Sequence, residues 1–279
     1  MKTGRRAVLR WLAVGTCAAP VVRVSWPARL SAAQVSMPHE FDTSLESIAV
    51  AFRSGNAMTM GYLSQPKMDG SYPGVIIAHD ESGLTTQTQG VTRNVAVAGY
   101  LTLAPDFLSP VGGTASFRGI DADVSRAVSS LPVERAIAIG GSAIAQLSSM
   151  KRLMKGRIGT VGFGWGGSAA LACSIAHPEI AACVIFNSEI KQPVKSLEKL
   201  KAPLLAIYAG DDAGAVSSVA AFEAALKQNR RPHAIKVFPG VQRGFHDPAF
   251  GKVYNPAAAK EAWSKVLQHL EMNLKWNGT

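Results

Sequence analysis

The stretch TVGFGWGGSA, residues 160–169, joins an apolar run to four closely spaced glycines. The pattern predicts a strand over 157–163 that turns sharply into a helix over 165–176. In a tight strand-to-helix turn of the form Gly-x-Nuc-x-Gly, the central side chain is exposed for nucleophilic attack. The two flanking residues and the central residue are Gly162, Gly166 and Gly164. The stretch therefore predicts a turn built for a nucleophile, at which glycine supplies no side chain.

Length and composition favour one α/β domain with a core on both sides of its sheet. The chain has 279 residues, of which 47% are hydrophobic and 17% are charged, and this is ample for one such domain. The formal net charge is +10, but residues 1–33 hold six Lys and Arg and no acid, which leaves 23 basic against 19 acidic side chains, or +4. So small a charge gives no special affinity for phosphate, which argues against a nucleic-acid-binding protein.

The first 33 residues have the pattern of a twin-arginine signal peptide. Arg5 and Arg6 precede an apolar stretch from Trp11 to Val22, and small residues at 31–33 form a cleavage site. The apolar stretch is too short for a permanent membrane span. This pattern predicts export to the periplasm or beyond, with a linker over 34–45 and one domain over 46–279. The alternatives are a disordered basic tail and, from the residues before Cys17, a lipoprotein signal.

Strands alternate with helices along the remainder of the chain, which predicts a mainly parallel sheet covered by helices on both faces. A hairpin comes first, with strands over 46–52 and 57–63. The later strands are predicted over 72–80, 99–108, 157–163, 181–187, 203–209 and 234–238. The helices are predicted over 86–98, 120–130, 133–155, 165–176, 215–228 and 256–275, and Gly140-Gly141 is a candidate break in the third.

Polar residues follow several of these strands directly. In a parallel sheet the ligand binds beyond the carboxyl ends of the strands, so these residues are the candidates for a site. The four groups are His79-Asp80-Glu81-Ser82-Gly83, Gly164-Trp165-Gly166-Gly167, Gly210-Asp211-Asp212 and Gly244-Phe245-His246-Asp247. Their order along the chain, nucleophile turn, then acid, then histidine, is the order of a catalytic triad on an α/β-hydrolase fold.

Six segments in this order resemble the dienelactone hydrolase family over roughly residues 55–272. They are AHDESGL, AGYLTLAPDFL, GRIGTVGFGWGGSAAL, LLAIYAGDD, GFHDP and YNPAAAKEAWSKVLQHL. The resemblance implies an α/β-hydrolase fold, a mainly parallel sheet with helices on both faces. It also implies activity on lactones and small esters with a Cys-His-Asp triad and no cofactor.

Carried over by position, the resemblance places the histidine at His246, the acid at Asp212 and the nucleophile at Gly164, with Asp211 as the alternative acid. Where the family usually has a glutamate that contacts the resting thiol, this chain has Asp80. The fold supplies its oxyanion-hole donors from the main chain, here the N–H groups of Trp165 and Glu81. We predict His79, Asp80 and Ser82 as substrate-pocket residues, although His79 also fits a loop-packing role. Arg118 and Arg243 are either ligands for a substrate carboxylate or surface arginines.

Three hypotheses follow from a glycine at the nucleophile position. In the first, the His246–Asp212 dyad activates a water that attacks the ester or lactone directly. In the second, the protein binds a small carbonyl compound without turnover. In the third, a displaced nucleophile acts, either Ser82 or Ser168. The sequence shows no P-loop, metal-ligand cluster or dinucleotide-binding pattern, so we expect no cofactor, no metal and no nucleic acid.

Overall fold

A mixed sheet of eight strands forms the centre of the molecule. The computed structural model describes residues 42–117, 120–190 and 194–275. Its strands are β1 (Leu45–Ser54), β2 (Ala57–Pro66), β3 (Tyr72–Ala78), β4 (Leu101–Pro105), β5 (Leu153–Phe163), β6 (Ile180–Phe186), β7 (Leu204–Ala209) and β8 (His233–Phe238). They lie in the order β1-β2-β4-β3-β5-β6-β7-β8. The β1–β2 and β2–β4 pairs are antiparallel and the other pairs are parallel.

Helices cover both faces of this sheet. The α-helices of the described ranges are α1 (Thr86–Val97), α2 (Asp121–Ser129), α3 (Val133–Ser148), α4 (Trp165–Ala176), α5 (Ala213–Ser217), α6 (Val219–Gln228) and α7 (Pro256–Leu274). Short 3₁₀ helices occupy Ser109–Val111, Thr114–Phe117, Val194–Lys199 and Pro248–Val253. Side chains of α1 and α7 join one core cluster, and those of α3, α4 and α6 join the other. The predicted α/β architecture with a two-sided core is confirmed.

The apolar runs of the sequence become the central strands. Every residue of β4 and β7 is buried, as are all but the first of β3 and all but one of β6. A parallel strand with helices on both faces needs apolar side chains at every position rather than at alternate ones. Full burial of a Val, Leu, Ile or Phe side chain contributes about 1.5–3 kcal/mol, so these strands account for much of the stability.

Three of the helix predictions differ from the structure in more than a terminal residue. The helix expected to reach residue 155 ends at Ser148, because Leu153 already pairs with Tyr72 as the first residue of β5. Helix α3 runs through Gly140 and Gly141 without a break. Gly140 lies where α3 packs against α4, and a side chain there would overlap Cys173. The helix expected over 215–228 is two helices, α5 and α6, that meet at Ser218.

The predicted signal peptide and most of the predicted linker lie outside the described residues. The linker's last residue, Leu45, is the first residue of β1. In the ranges that the structure describes, no helix is both long enough and apolar enough to cross a membrane.

Helix α4 packs closely against the end of β3, at the edge of the sheet that carries the candidate site. A Cβ at Gly166 would overlap the main-chain oxygens of Ala78 and His79. Because Gly166 has no side chain, the first turn of α4 packs directly on the end of β3. This contact places the loop after β3 beside the amino end of α4.

Candidate active site

Gly164 stands at the junction of β5 and α4, where the sequence predicts the turn. Its backbone has φ 52° and ψ −118°, and it is the residue that precedes the first turn of α4. Its N–H donates a hydrogen bond of 2.8 Å to the carbonyl oxygen of Phe186, the last residue of β6. A positive φ costs a residue with a side chain about 1–3 kcal/mol, so glycine is the unstrained residue at this turn.

An ion pair fills the space in which a side chain of residue 164 would lie. Arg243 Nη2 and Glu81 Oε2 are 2.5 Å apart. A Cβ built on Gly164 would overlap Arg243 Nη2 and would lie 2.7 Å from Glu81 Oε2. The nucleophile position therefore holds a guanidinium and a carboxylate that come from two other loops.

The same carboxylate binds the main-chain donor predicted for the oxyanion hole. Trp165 N–H donates to Glu81 Oε1 over 3.1 Å. An acidic side chain at a helix N-terminus is stabilised by the unpaired N–H groups and by the helix dipole. The Glu81 carboxylate therefore already accepts the hydrogen bond of Trp165 N–H, the group that would stabilise a tetrahedral intermediate.

Arg243 lies on the wall of the site. Burial lowers the pKa of Arg243, but the negative charges of Glu81, Asp212 and Asp80 outweigh that effect and raise the pKa above its usual value. Arg243 is thus a permanent cation held among three acids. Arg243 is a surface arginine, with 47% of its side chain exposed, that lies at the site, and its role as a ligand for a substrate carboxylate stays a prediction. Arg118 lies outside the described residues.

His246 lies in a cage of aromatic rings after β8. Its ring centroid is 5.0 Å from that of Phe163 and 5.1 Å from that of Phe186. The other rings around it are those of Phe245, Phe250 and Trp263. Burial, and to a smaller degree the charge of Arg243, lowers the pKa of His246 to about 4. The imidazole is therefore neutral at pH 7.

Asp212 and His246 do not form the predicted hydrogen bond. Asp212 Oδ1 accepts from Ala215 N–H over 3.2 Å and caps α5. Asp212 Oδ2 and His246 Nδ1 are both buried, and neither has a hydrogen-bond partner among the residues that the structure describes. The cap holds the Asp212 carboxylate against α5, and the aromatic rings hold the imidazole of His246, so no hydrogen bond forms between the two side chains. Asp211 is exposed, so of the two candidate acids Asp212 is the one that faces the site.

Two adjoining cavities open at this edge of the sheet. The larger, of about 610 Å³, is lined by Trp165, Ser168 and Asp212 among others. The smaller, of about 270 Å³, is lined by His246, Asp80 and Ser82 among others. Four residues line both cavities: Glu81, Gly164, Asn187 and Arg243. The Glu81–Arg243 ion pair therefore lies between the predicted acid and the predicted histidine.

The structure corrects the prediction that His79 is a pocket residue. His79 is completely buried. Its Nδ1 lies 2.8 Å from the carbonyl oxygen of Asp80, and its Nε2 accepts from Phe107 N–H over 3.1 Å. This arrangement places the proton on Nδ1 and uses both ring nitrogens on the main chain. His79 is the loop-packing residue of the alternative interpretation.

The other predicted residues lie around the two cavities. Asp80 Oδ1 accepts from Ser82 N–H over 2.9 Å, so the acid that reaches the nucleophile position is Glu81 rather than Asp80. Ser82 is exposed at the rim of the smaller cavity. Ser168 lines the larger cavity, where its hydroxyl donates to the carbonyl oxygen of Glu189 over 3.1 Å. Neither serine hydroxyl is hydrogen-bonded to His246.

Sequence reasoning missed the side chain of Glu81 and the whole of Asn187. Glu81 entered the predictions only through its N–H group, and its place directly after the predicted Asp80 was the signal that could have found it. Asn187 follows a buried strand, as the candidate groups do, but no motif marks it.

Residues 59–274 match the dienelactone hydrolase family model. The chain belongs to this family. Over 215 residues it is 25% identical to the "Putative carboxymethylenebutenolidase" of Methylorubrum extorquens, with 74% of each chain covered. It is 26% identical over 233 residues to the "Probable 2-oxo-3-(5-oxofuran-2-ylidene)propanoate lactonase" of a Bradyrhizobium species, covering 77% of this chain and 90% of the relative.

A solved structure shares the fold of this chain. The "Putative Dienelactone Hydrolase" of Klebsiella pneumoniae superposes with a TM-score of 0.74 at 23% identity, covering 81% of this chain and 98% of that one. The predicted α/β-hydrolase fold is thereby confirmed.

Proposed function

We propose that this protein hydrolyses a small ester or lactone by direct attack of water, without an acyl-enzyme. One observation carries the proposal: His246, Gly164, Glu81 and Arg243 line a single cavity. A neutral base, the position at which the nucleophile is missing and a cation thus line one cavity. Two relatives, a carboxymethylenebutenolidase and a lactonase by their names, support a lactone or ester as the substrate.

The reaction balances with the groups of this cavity. His246 accepts a proton from water as the water oxygen bonds to the carbonyl carbon, and it returns that proton to the leaving alkoxide as the carbon–oxygen bond breaks. Trp165 N–H stabilises the oxyanion once the substrate carbonyl has displaced Glu81 from it. A carboxylate on the substrate would take the place of Glu81 beside Arg243. His246 works in this scheme without a hydrogen bond to Asp212.

The second candidate function is binding of a small carbonyl compound without turnover. The hydrogen bond from Trp165 N–H to Glu81 Oε1 favours it, because the donor needed for the transition state already holds an anion. A base whose pKa is about 4 is also a weak proton acceptor at pH 7.

Hydrolysis of activated substrates separates the two functions. We expect the purified protein to hydrolyse p-nitrophenyl acetate and dihydrocoumarin without a burst, since no covalent intermediate accumulates. Replacing His246 with Ala should lower kcat by about 10²–10⁴-fold, the usual contribution of a positioned base. Ser168→Ala should leave kcat unchanged if water attacks directly, whereas a loss of activity would identify Ser168 as a displaced nucleophile. Equal rates in the wild type and the His246→Ala variant would contradict water attack by His246.

We also propose that the protein is exported to the periplasm or beyond by a twin-arginine signal. If Arg5 and Arg6 are the signal, replacing both with Lys should leave the precursor in the cytoplasm with residues 1–33 attached. Cell fractionation and the mass of the accumulated chain measure this. The control is Arg10→Lys, which leaves the arginine pair intact and should be processed as the wild type is. Normal processing of the double variant would overturn the export route.

A further inference from the structure

Asn187, the residue after β6, has a left-handed backbone. Its φ is 46°, and in the part of the chain that the structure describes only Arg230 shares a positive φ among residues other than glycine. Side chains disfavour this region, although asparagine tolerates it better than most residues. Such strain persists where the surrounding structure fixes it, and it is concentrated at functional sites.

Hydrogen bonds to β7 fix Asn187 on both its main chain and its side chain. Its N–H donates to the carbonyl oxygen of Ile207 over 2.8 Å, and its Oδ1 accepts from Ala209 N–H over 2.5 Å. The second bond shows which end of the amide is the oxygen. The amide nitrogen can donate two hydrogen bonds, and it forms none with the residues described. The strained backbone therefore holds an amide whose acceptor is used and whose donors are free.

The free amide belongs to the candidate site. Asn187 is 4% exposed, and it lines both cavities together with Gly164. Of the other residues that line both cavities, Gly164 donates its N–H to the carbonyl oxygen of Phe186, and Arg243 is a cation that binds Glu81. Among the four residues that line both cavities, Asn187 thus supplies the uncharged donor that remains available to a bound molecule.

We propose that Asn187 determines the specificity of this site, by donating a hydrogen bond from its amide nitrogen to the carbonyl oxygen of the bound compound. The proposal rests on the proposed function only in taking a small carbonyl compound as the ligand. The proposal requires that the compound binds, and it does not depend on whether the compound is turned over.

Two carboxylates that differ in one carbonyl test the proposal. Calorimetric titration would compare levulinate, which carries a ketone, with pentanoate, which has the same chain length and lacks it. The wild type should bind levulinate more tightly by about five- to tenfold, the effect of one added hydrogen bond. Asn187→Gly keeps the backbone conformation and removes the amide, so this variant should bind the two compounds equally, with the affinity for pentanoate unchanged.

A structural role for Asn187 gives a different result. If the residue only shapes the loop, Asn187→Gly would lower the affinity for both compounds by the same factor. The preference for levulinate would then persist, and this result would overturn the proposal. Asn187→Asp keeps the acceptor for Ala209 N–H and exchanges the donor for an anion, so it should also lose the preference. Because neither compound can be hydrolysed, a protein that turns over no ester can still show the preference. A wild type without any preference overturns the proposal even if it hydrolyses esters.

Discussion

Replacing Gly164 with Cys is expected to speed the hydrolysis of p-nitrophenyl acetate about tenfold or more and to produce a burst. The new Cβ overlaps the tips of Arg243 and Glu81, and both are long side chains that can rotate away. Their departure frees Trp165 N–H for the oxyanion, and the thiol supplies the covalent route that the wild type lacks. The neutral imidazole of His246 lines the same cavity and can accept the proton of the thiol.

Stability should fall as activity rises. A side chain at φ 52° costs about 1–3 kcal/mol of the free energy of unfolding, measured by chemical denaturation. Gly164→Ala is the matched control, because it adds the same Cβ and the same strain without a thiol. It should lose similar stability without gaining a burst.

Two outcomes would contradict this account of Gly164. A thiol at residue 164 that reacts with a thiol reagent but gives no faster hydrolysis would show that the cavity does not direct a carbonyl towards it. An equal gain in the rate of hydrolysis in Gly164→Ala would show that the release of Glu81 from Trp165 limits the rate of the wild type, and that the missing nucleophile does not.

Replacing His246 with Phe is expected to remove about 3 kcal/mol of pH-dependent stability. A histidine in the unfolded chain binds a proton near pH 6.5, whereas folded His246 does so only near pH 4. Between these values the unfolded state binds more protons, so the free energy of unfolding is highest above pH 6.5 and declines as the pH falls towards 4. At 1.36 kcal/mol per pKa unit this amounts to about 3 kcal/mol.

Urea denaturation at pH 7 and at pH 4 measures the effect. The wild type should lose about 3 kcal/mol more than the His246→Phe variant between the two conditions. At pH 7 the variant should be as stable as the wild type or more so, because phenylalanine suits the aromatic cage. The substitution also removes Nδ1, a buried atom without a hydrogen-bond partner in the described part of the chain. The same pH dependence in both proteins would show that the imidazole is not held neutral by its surroundings.

The sequence by itself determined the architecture and the location of the site. Apolar runs marked the buried strands, and the glycines at 162, 164 and 166 predicted the turn between β5 and α4. These features depend on residues close together in the chain, namely on periodicity and on the backbone conformations that glycine allows. The order of the candidate residues after successive strands then indicated one edge of the sheet, because the carboxyl ends of parallel strands meet there.

The tertiary structure alone decided what the site contains. Glu81 and Arg243 are 162 residues apart, and no local pattern shows that their ion pair fills the space at Gly164. The missing hydrogen bond between Asp212 and His246 likewise depends on which neighbours hold each side chain, a helix cap in one case and an aromatic cage in the other. Strand positions follow from local propensity and burial, whereas the partners of a polar side chain follow from competition among groups that only the folded chain brings together.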